Sequence, residues 1–183
     1  MPEDTSVEAP SPWVVRFAPL VCPGGTVLDV ACGRGRHARF LAAKGCRVLA
    51  VDIDAESVRS MDGISGIETR VADLEGGPWP FSGRRFDGIV VTRYLHRPLL
   101  APLLGAIAPG GVLIYETFAA GNERYGRPRN PEFLLQPGEL LEWTRGHLRV
   151  IAFEDLYVDS PKPAMMQRIC ALHPANREIS QRV

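Results

Sequence analysis

The stretch Thr26-Val-Leu-Asp-Val-Ala-Cys-Gly-Arg-Gly-Arg-His-Ala38 determines the fold predicted for this 183-residue chain. Apart from Asp29, its first six residues form a short run without strong charge, which is typical of a buried strand. Gly33 and Gly35 then make a loop, and residues 36–44 have the pattern of a helix. A strand, a glycine loop and a helix in this order predict the first unit of a parallel sheet that binds its ligand at the carboxyl ends of the strands.

The same alternation of strands and helices continues along the chain. We predict further strands at 47–52, 67–72, 86–92 and 112–117, and helices at 11–21, 54–61, 98–108 and 137–145. The last two strands, 149–158 and 165–172, have no helix between them, so we expect them to pair antiparallel. The pattern predicts an α/β fold with a doubly wound, Rossmann-like sheet. Residues 1–10 are predicted to be a disordered leader and residues 11–183 a single domain.

The composition excludes several classes of protein. Basic and acidic residues number 21 each, so the formal net charge is zero and no global charge indicates a nucleic-acid partner. The apolar runs fall short of the roughly eighteen residues of a membrane helix. The acidic, polar N-terminus lacks the pattern of a signal peptide, so we expect a cytoplasmic protein. The four cysteines are scattered, and we expect neither a disulfide framework nor a metal site.

The glycine loop alone leaves its ligand open. Residues 33–38 satisfy the G-x-G-x-x-G/A pattern of dinucleotide-binding loops, but two glycines after a strand can also make only a tight turn. Asp29 lies within the strand, four residues before Gly33. A carboxylate there would repel the pyrophosphate of NAD and attract a cationic group. Because S-adenosylmethionine carries an ammonium and a sulfonium, Asp29 favours this methyl donor over a dinucleotide.

Two more acidic residues stand at the ends of neighbouring predicted strands. Asp52 ends the second strand, where a carboxylate can accept hydrogen bonds from ribose hydroxyls. Asp73 follows the third strand, where it could accept a hydrogen bond from an adenine amino group beside the Leu74 amide. Each acid by itself could be a surface residue or a helix cap. With Asp29 at the same edge of the sheet, the set favours a nucleoside-binding site.

Four segments, read in order, resemble the motifs of class I S-adenosylmethionine-dependent methyltransferases. They are residues 27–37, 48–54, 86–91 and 108–114. The Cys-Gly-x-Gly-Arg form of the first motif resembles the small bacterial group that includes tellurite-resistance methyltransferases. The resemblance covers residues 26–117. It implies a seven-stranded sheet in the order 3-2-1-4-5-7-6, with strand 7 antiparallel.

The resemblance also assigns candidate residues to the donor, with S-adenosylhomocysteine as the product. It places Asp29 and both glycines around the methionine part, Asp52 at the ribose, and Asp73 with Leu74 at the adenine. The expected cofactor-binding residues are Asp29, Ala31, Cys32, Gly33, Gly35, Asp52, Ile53, Asp73, Leu74 and Thr92. After the fourth strand, members that methylate amino groups often carry Asn-Pro-Pro-Tyr. This chain has Thr92-Arg-Tyr-Leu-His-Arg-Pro98 instead, which argues against a mechanism of the DNA-adenine type.

The catalytic candidates follow from the chemistry of a sulfonium. Because the sulfonium is already a good leaving group, positioning and exclusion of water are the main tasks of the protein. A base is needed only if the acceptor must lose a proton. His96, Tyr94 and Glu116 lie at the ends of the fourth and fifth strands and are the candidates. Alternatively, His96 closes a turn, and Glu116 is a helix cap or an ion-pair partner.

The acceptor is expected to meet the connection 118–136, since long connections are often lids or binding loops. It carries several arginines that could hold a carboxylate, an oxyanion or an RNA phosphate, unless it is only a solvated loop. The candidate substrate-binding residues are Arg97, Arg124, Tyr125 and Arg127, with Arg129 beside them. Trp13 and Phe17 either close over the cofactor or pack in the core.

These observations predict methyl transfer from S-adenosylmethionine to a small-molecule acceptor. One alternative is an RNA or protein methyltransferase that uses the arginines of residues 118–136. Another is a non-catalytic module that binds the cofactor. An NAD(P) oxidoreductase is disfavoured by Asp29 and by the lack of a separate catalytic domain.

Overall fold

The computed structural model describes residues 8–175. The strands are β1 Thr26–Val30, β2 Arg47–Asp52, β3 Ile67–Val71, β4 Phe86–Thr92, β5 Ile107–Phe118, β6 Arg149–Val158 and β7 Ala164–Leu172. The α-helices are α1 Pro12–Phe17, α2 Arg36–Ala43, α3 Ala55–Arg59, α4 Leu100–Ala106 and α5 Glu139–Thr144. Residues 1–7 of the predicted leader lie outside the described part, whereas residues 8–10 are within it.

The strands form a seven-stranded sheet in the order β3-β2-β1-β4-β5-β7-β6. Strands β1 to β5 pair in parallel, and β7 pairs antiparallel with both β5 and β6. The predicted fold class, strand order and antiparallel strand 7 are therefore confirmed.

The core lies on both faces of this sheet because successive side chains of a strand point to opposite sides. On β1, Leu28 packs in the cluster that includes Leu103 of α4 and Leu140 of α5. Its neighbour Val27 packs in the other cluster, with Trp13 of α1 and helix α2. Apolar residues on both faces explain why the inner strands read as nearly continuous hydrophobic runs.

Helix α1 begins where the sequence predicts it. Ser11 is the N-cap, and its hydroxyl accepts a hydrogen bond from the Trp13 N–H at 3.1 Å. Trp13 and Phe17 are buried, with their rings edge to face at 4.7 Å between centroids. The Trp13 indole also donates to the Ile169 carbonyl at 3.3 Å. The structure therefore supports core packing for both aromatic residues rather than closure over a cofactor.

The boundary between α4 and β5 differs from the prediction. The helix predicted for 98–108 begins as a 3-10 turn and ends at Ala106, and Ile107 already pairs with Phe86 of β4. The register then shifts, so that the next paired residue of β5 is Val112, opposite Gly88. Residues 108–111, Ala-Pro-Gly-Gly, form this irregularity, consistent with a proline that lacks an N–H and cannot extend the helix.

The connection 118–136 is more ordered than a solvated loop. It contains two 3-10 turns, and Ala119 forms an isolated parallel bridge with Leu135. Asn122 is buried; its side chain donates to the Pro128 carbonyl and accepts from the Met165 N–H, both at 3.2 Å. Within the described residues, no helix has the length and apolar character needed to cross a membrane.

Candidate donor-binding and active site

The glycine loop turns sharply at the carboxyl end of β1. Ala31, Gly33 and Gly35 all have positive φ, at 51°, 52° and 76°. A Cβ at Gly35 would overlap the Met61 side chain, whereas a Cβ at Gly33 would meet no atom within 4 Å. Gly35 is therefore required by both its close packing and its backbone angle. Gly33 is required by its backbone angle, and its missing side chain leaves open space for a ligand.

Asp52, at the end of β2, holds this loop. Its Oδ2 accepts a hydrogen bond from the Gly33 N–H at 2.8 Å, and its Oδ1 accepts from the Asp54 N–H at 3.0 Å. Because each carboxylate oxygen has a second lone pair, the group retains acceptor capacity for ligand hydroxyls. The following residue, Ile53, has 66% of its surface exposed, which is unusual for isoleucine and leaves an apolar surface beside the carboxylate.

Asp29 is buried, and its Oδ2 has no hydrogen-bond partner among the described residues. Burial raises the pKa of Asp29 to about 7, although the Ala38 N–H and the charge of Arg36 act in the opposite direction. A buried carboxyl with an unsatisfied oxygen is costly unless a donor or a cation reaches it. An ammonium group from a ligand would supply both.

Asp73 is placed differently from the other two acids. It is exposed, and its Oδ1 accepts the backbone N–H groups of Glu75 and Gly76, both at 2.9 Å. These hydrogen bonds lower the pKa of Asp73. Asp73 thus shapes the turn after β3, and the Leu74 side chain beside it is buried in the core.

A cavity of about 340 Å³ opens at the carboxyl ends of β1 and β4. Its lining residues are Glu8, Ala31, Cys32, Gly33, Arg34, Arg36, His37, Thr92 and Arg93. Four of the predicted cofactor-binding residues are among them, namely Ala31, Cys32, Gly33 and Thr92, whereas Asp29, Gly35, Asp52, Ile53, Asp73 and Leu74 are not. The other five lining residues were not predicted, although all except Glu8 lie within or directly beside the quoted motifs.

The hydrogen bonds of His37 identify its protonated nitrogen. Burial lowers the pKa of His37 to about 3, with Arg36 and Arg93 adding to the effect, so the ring is neutral at pH 7. The Ser11 N–H donates to Nε2 at 3.2 Å, so Nδ1 carries the hydrogen. Nδ1 lies 3.4 Å from the Thr92 hydroxyl oxygen, which acts as its acceptor. The Thr92 hydroxyl hydrogen is then available to a ligand.

Two arginines meet at the mouth of the cavity. Nη1 of Arg36 and Nη1 of Arg93 lie 2.8 Å and 3.0 Å from the same oxygen of Glu8. Arg93 follows β4 directly and has φ of 54°, a left-handed conformation that is rare for residues other than glycine. Its N–H donates to the Glu116 carbonyl at 2.9 Å, which holds that conformation.

The chain is similar in sequence to known methyltransferases. A family model described as a methyltransferase domain matches residues 27–111. A tRNA U34 carboxymethyltransferase of Methylococcus capsulatus is 31% identical over 174 residues, which cover 83% of this chain and 52% of that protein. An uncharacterised methyltransferase of Mycobacterium tuberculosis is 38% identical over 114 residues, which cover 57% of each chain. The chain thus spans about half the length of these curated relatives.

Solved structures show the same fold. TehB of Haemophilus influenzae superposes with a TM-score of 0.77 at 19% identity, covering 91% of this chain and 63% of that one. A 1,6-didemethyltoxoflavin-N1-methyltransferase of Burkholderia thailandensis, solved with S-adenosylhomocysteine, has a TM-score of 0.65 at 18% identity, covering 88% and 76%.

The matched domain, the relatives and the fold support the resemblance of this chain to the class I S-adenosylmethionine-dependent methyltransferases. S-adenosylmethionine, the donor predicted from the sequence, is the cofactor of this family. The fold and the ordered motifs agree with this assignment, and the resemblance stated from the motifs is confirmed.

The predicted catalytic residues are not among the residues that line the cavity. His96 Nδ1 lies 3.8 Å from a carboxylate oxygen of Glu75. The Tyr94 hydroxyl is buried, and burial together with the neighbouring Glu75 carboxylate raises its pKa. Glu116 is buried and pairs with Arg168 at 3.3 Å, which is the ion-pair alternative considered for it. Catalytic roles for the three therefore remain predictions.

Arg97 makes hydrogen bonds within the protein, and its predicted substrate contact remains a prediction. Its Nε and Nη2 donate to both oxygens of Glu139 at 2.7 and 2.9 Å. Its Nη1 and Nη2 also donate to the carbonyls of Glu132 and Leu134. The planar guanidinium thereby fastens the connection 118–136 to the start of α5.

The other predicted substrate-binding residues lie on the surface of that connection. Arg124, Arg127 and Arg129 are exposed, and none of them lines the cavity. The Tyr125 ring packs against Tyr157 with 5.0 Å between ring centroids. The connection thus presents positive charge to solvent, and its Tyr125 packs on a residue of β6.

Proposed function

We propose that this methyltransferase transfers the methyl group of S-adenosylmethionine to a small-molecule acceptor. The observation that carries the proposal is the buried Asp29 carboxyl, whose Oδ2 has no partner among the described residues. The donor's ammonium would supply that partner, and Asp52 would accept hydrogen bonds from the ribose hydroxyls. The exposed Ile53 beside Asp52 would pack against the adenine, with Asp73 and Leu74 at its edge.

Bound S-adenosylmethionine would supply a methyl group activated by its sulfonium, with S-adenosylhomocysteine as the product. The chain contributes orientation and exclusion of water. Asp29 and Asp52 hold the donor at opposite ends of its flexible part. The Thr92 hydroxyl, at the end of β4 and oriented by His37, can donate a hydrogen bond to a ligand in the cavity.

Among residues 8–175, no side chain that lines the cavity is poised as a general base. Both ring nitrogens of His37 are engaged and its pKa is lowered to about 3, so it does not collect a proton at neutral pH. The remaining ionisable lining groups are a carboxylate paired with arginines, the arginines themselves, and Cys32, whose thiol pKa is raised by burial. This favours an acceptor that is already nucleophilic at neutral pH.

A second candidate acceptor is RNA. It is favoured by the exposed Arg124, Arg127 and Arg129 on one connection and by the relative named as a tRNA U34 carboxymethyltransferase. Phosphate groups bind exposed arginines of this kind. We rank it second because these arginines do not line the cavity and the chain has no net positive charge.

The test measures transfer of a labelled methyl group from S-adenosylmethionine to a panel of small metabolites and, separately, to bulk tRNA. We expect label in one or more small molecules, and about tenfold weaker donor binding in Asp52→Asn. Label that enters only tRNA, and is lost in an Arg124→Gln/Arg127→Gln variant, would establish the second candidate instead. No binding of donor or product would refute both.

A further inference from the structure

Arg36 and Arg93 form a pair that the donor-binding assignments above leave unused. They come from the start of α2 and from the residue after β4, and they converge on one carboxylate oxygen, Glu8 Oε2. The Arg36 side chain is only 15% exposed, so its charge is largely removed from water. Guanidinium groups presented in this way are suited to carboxylates.

The two guanidiniums of this pair lie close enough to repel each other. They share a single oxygen of one carboxylate, and burial and the charge of Arg93 lower the pKa of Arg36, although Glu8, Glu116 and Asp29 act in the opposite direction. A bound donor would bring two cationic groups and one carboxylate, which increases the positive charge of the cavity further. The electrostatics at this mouth therefore favour an anionic ligand group over a cationic one.

Glu8 itself is a weakly held occupant. Its side chain is 66% exposed, and a carboxylate with such exposure gains little from an ion pair in water. No other hydrogen bond or ion pair of its side chain is described. A ligand carboxylate that enters the cavity would meet the same donors, and it would have to displace Glu8 from them.

We propose that Arg36 and Arg93 form a carboxylate-binding site of which Glu8 is the internal occupant, displaced when a small-molecule carboxylate binds. The ligand carboxylate has two possible sources, the amino-acid part of the donor and the acceptor molecule. The inference that the donor supplies the carboxylate rests on the proposed function. The inference that the two arginines form a carboxylate-binding site does not. Because only molecules with Glu8 displaced can bind, the measured affinity is reduced by the fraction of molecules in which the site is open.

The experiment compares Glu8→Gln with Glu142→Gln as a matched control. Glu142 is also 66% exposed and also pairs with an arginine, Arg145, but on the surface of α5. Calorimetry with S-adenosylhomocysteine, and with 5′-methylthioadenosine, which lacks the amino-acid part, examines the donor. Succinate is the probe for a free carboxylate. The backbone amide spectra of Gly33 and Arg93 are followed during titration with succinate and, as a control, with chloride at equal ionic strength. Both titrations are done with and without S-adenosylhomocysteine.

If the donor supplies the carboxylate, Glu8→Gln should bind S-adenosylhomocysteine about 3- to 10-fold more tightly, with 5′-methylthioadenosine unchanged. If the acceptor supplies the carboxylate, wild type and Glu8→Gln should bind S-adenosylhomocysteine equally. Succinate should then bind Glu8→Gln about 3- to 10-fold more tightly than wild type when both proteins are saturated with S-adenosylhomocysteine. In either case Glu142→Gln should match the wild type, and adding Arg93→Gln should abolish the gain.

Equal affinities of wild type and Glu8→Gln for S-adenosylhomocysteine and for succinate would overturn the proposal. Failure of S-adenosylhomocysteine to bind either protein, with succinate still tighter in Glu8→Gln, would contradict the proposed function and leave the carboxylate site supported.

Discussion

Replacing Asp29 with asparagine should stabilise the protein while impairing it as a methyltransferase. The carboxyl is buried, its Oδ2 is unpaired, and its pKa is raised from the usual 3.8 to about 7. A group whose folded-state pKa is raised binds more protons in the folded than in the unfolded state between those two values. Its presence therefore lowers the free energy of unfolding as the pH rises through that window.

The size of the effect follows from the two pKa values. At pH 5 most of the penalty has not developed, whereas at pH 8 the folded protein carries an ionised, buried carboxylate. At about 1.4 kcal/mol per pKa unit, the stability advantage of Asp29→Asn over wild type should grow by about 3 kcal/mol between pH 5 and pH 8. The asparagine oxygen can still accept the Ala38 N–H, so the local hydrogen bond is retained.

Denaturant unfolding of both proteins at pH 5, 6, 7 and 8 measures this difference. Asp62→Asn is the control, because that aspartate is exposed and an asparagine oxygen retains its hydrogen bond from Thr69. Parallel stability curves for wild type and Asp29→Asn across this range would show that the carboxyl is not strained by burial. The argument for a cationic ligand at Asp29 would then lose its physical basis.

Two further variants test the construction of the site. Gly35→Ala should lower the free energy of unfolding by about 3 kcal/mol, because the added methyl overlaps the Met61 side chain at a position with positive φ. Gly33→Ala should lower it by only about 1 kcal/mol, because its added methyl meets no neighbouring atom. Equal losses of the two variants in denaturant unfolding would contradict this. Arg97→Lys keeps the charge but loses the planar fork, so trypsin should cleave within residues 118–136 several times faster than in wild type. Arg145→Lys is the control for that experiment, and identical cleavage rates would refute the clamp.

The strands of the sheet could be predicted because short segments of the sequence specify them. Each inner strand is a short apolar run, and the glycine loop after β1 marks where the ligand edge begins. The end of α4 was misplaced because Ile107 belongs to β5 only through its pairing with Phe86, a contact that no local pattern encodes. The bulge at residues 108–111 conceals the early start of the strand.

The residues of the candidate donor site could be proposed for the same reason, whereas several residues that line the cavity could not. Asp29, Asp52 and Gly33 belong to motifs, whereas Glu8 reaches Arg93 across 85 positions of the sequence. Arg97 is predicted to contact the substrate because an arginine beside a strand end can bind a ligand. In the structure its acceptors include backbone carbonyls, and such contacts have no signature in the sequence.

The most direct test of the central claim is calorimetric titration of the purified chain with S-adenosylhomocysteine and, separately, with NAD⁺ at pH 8. We predict saturable binding of S-adenosylhomocysteine, weakened at least tenfold in Asp29→Asn, and no binding of NAD⁺. Binding of NAD⁺ without binding of S-adenosylhomocysteine would contradict the assignment of this site to a cationic methyl donor.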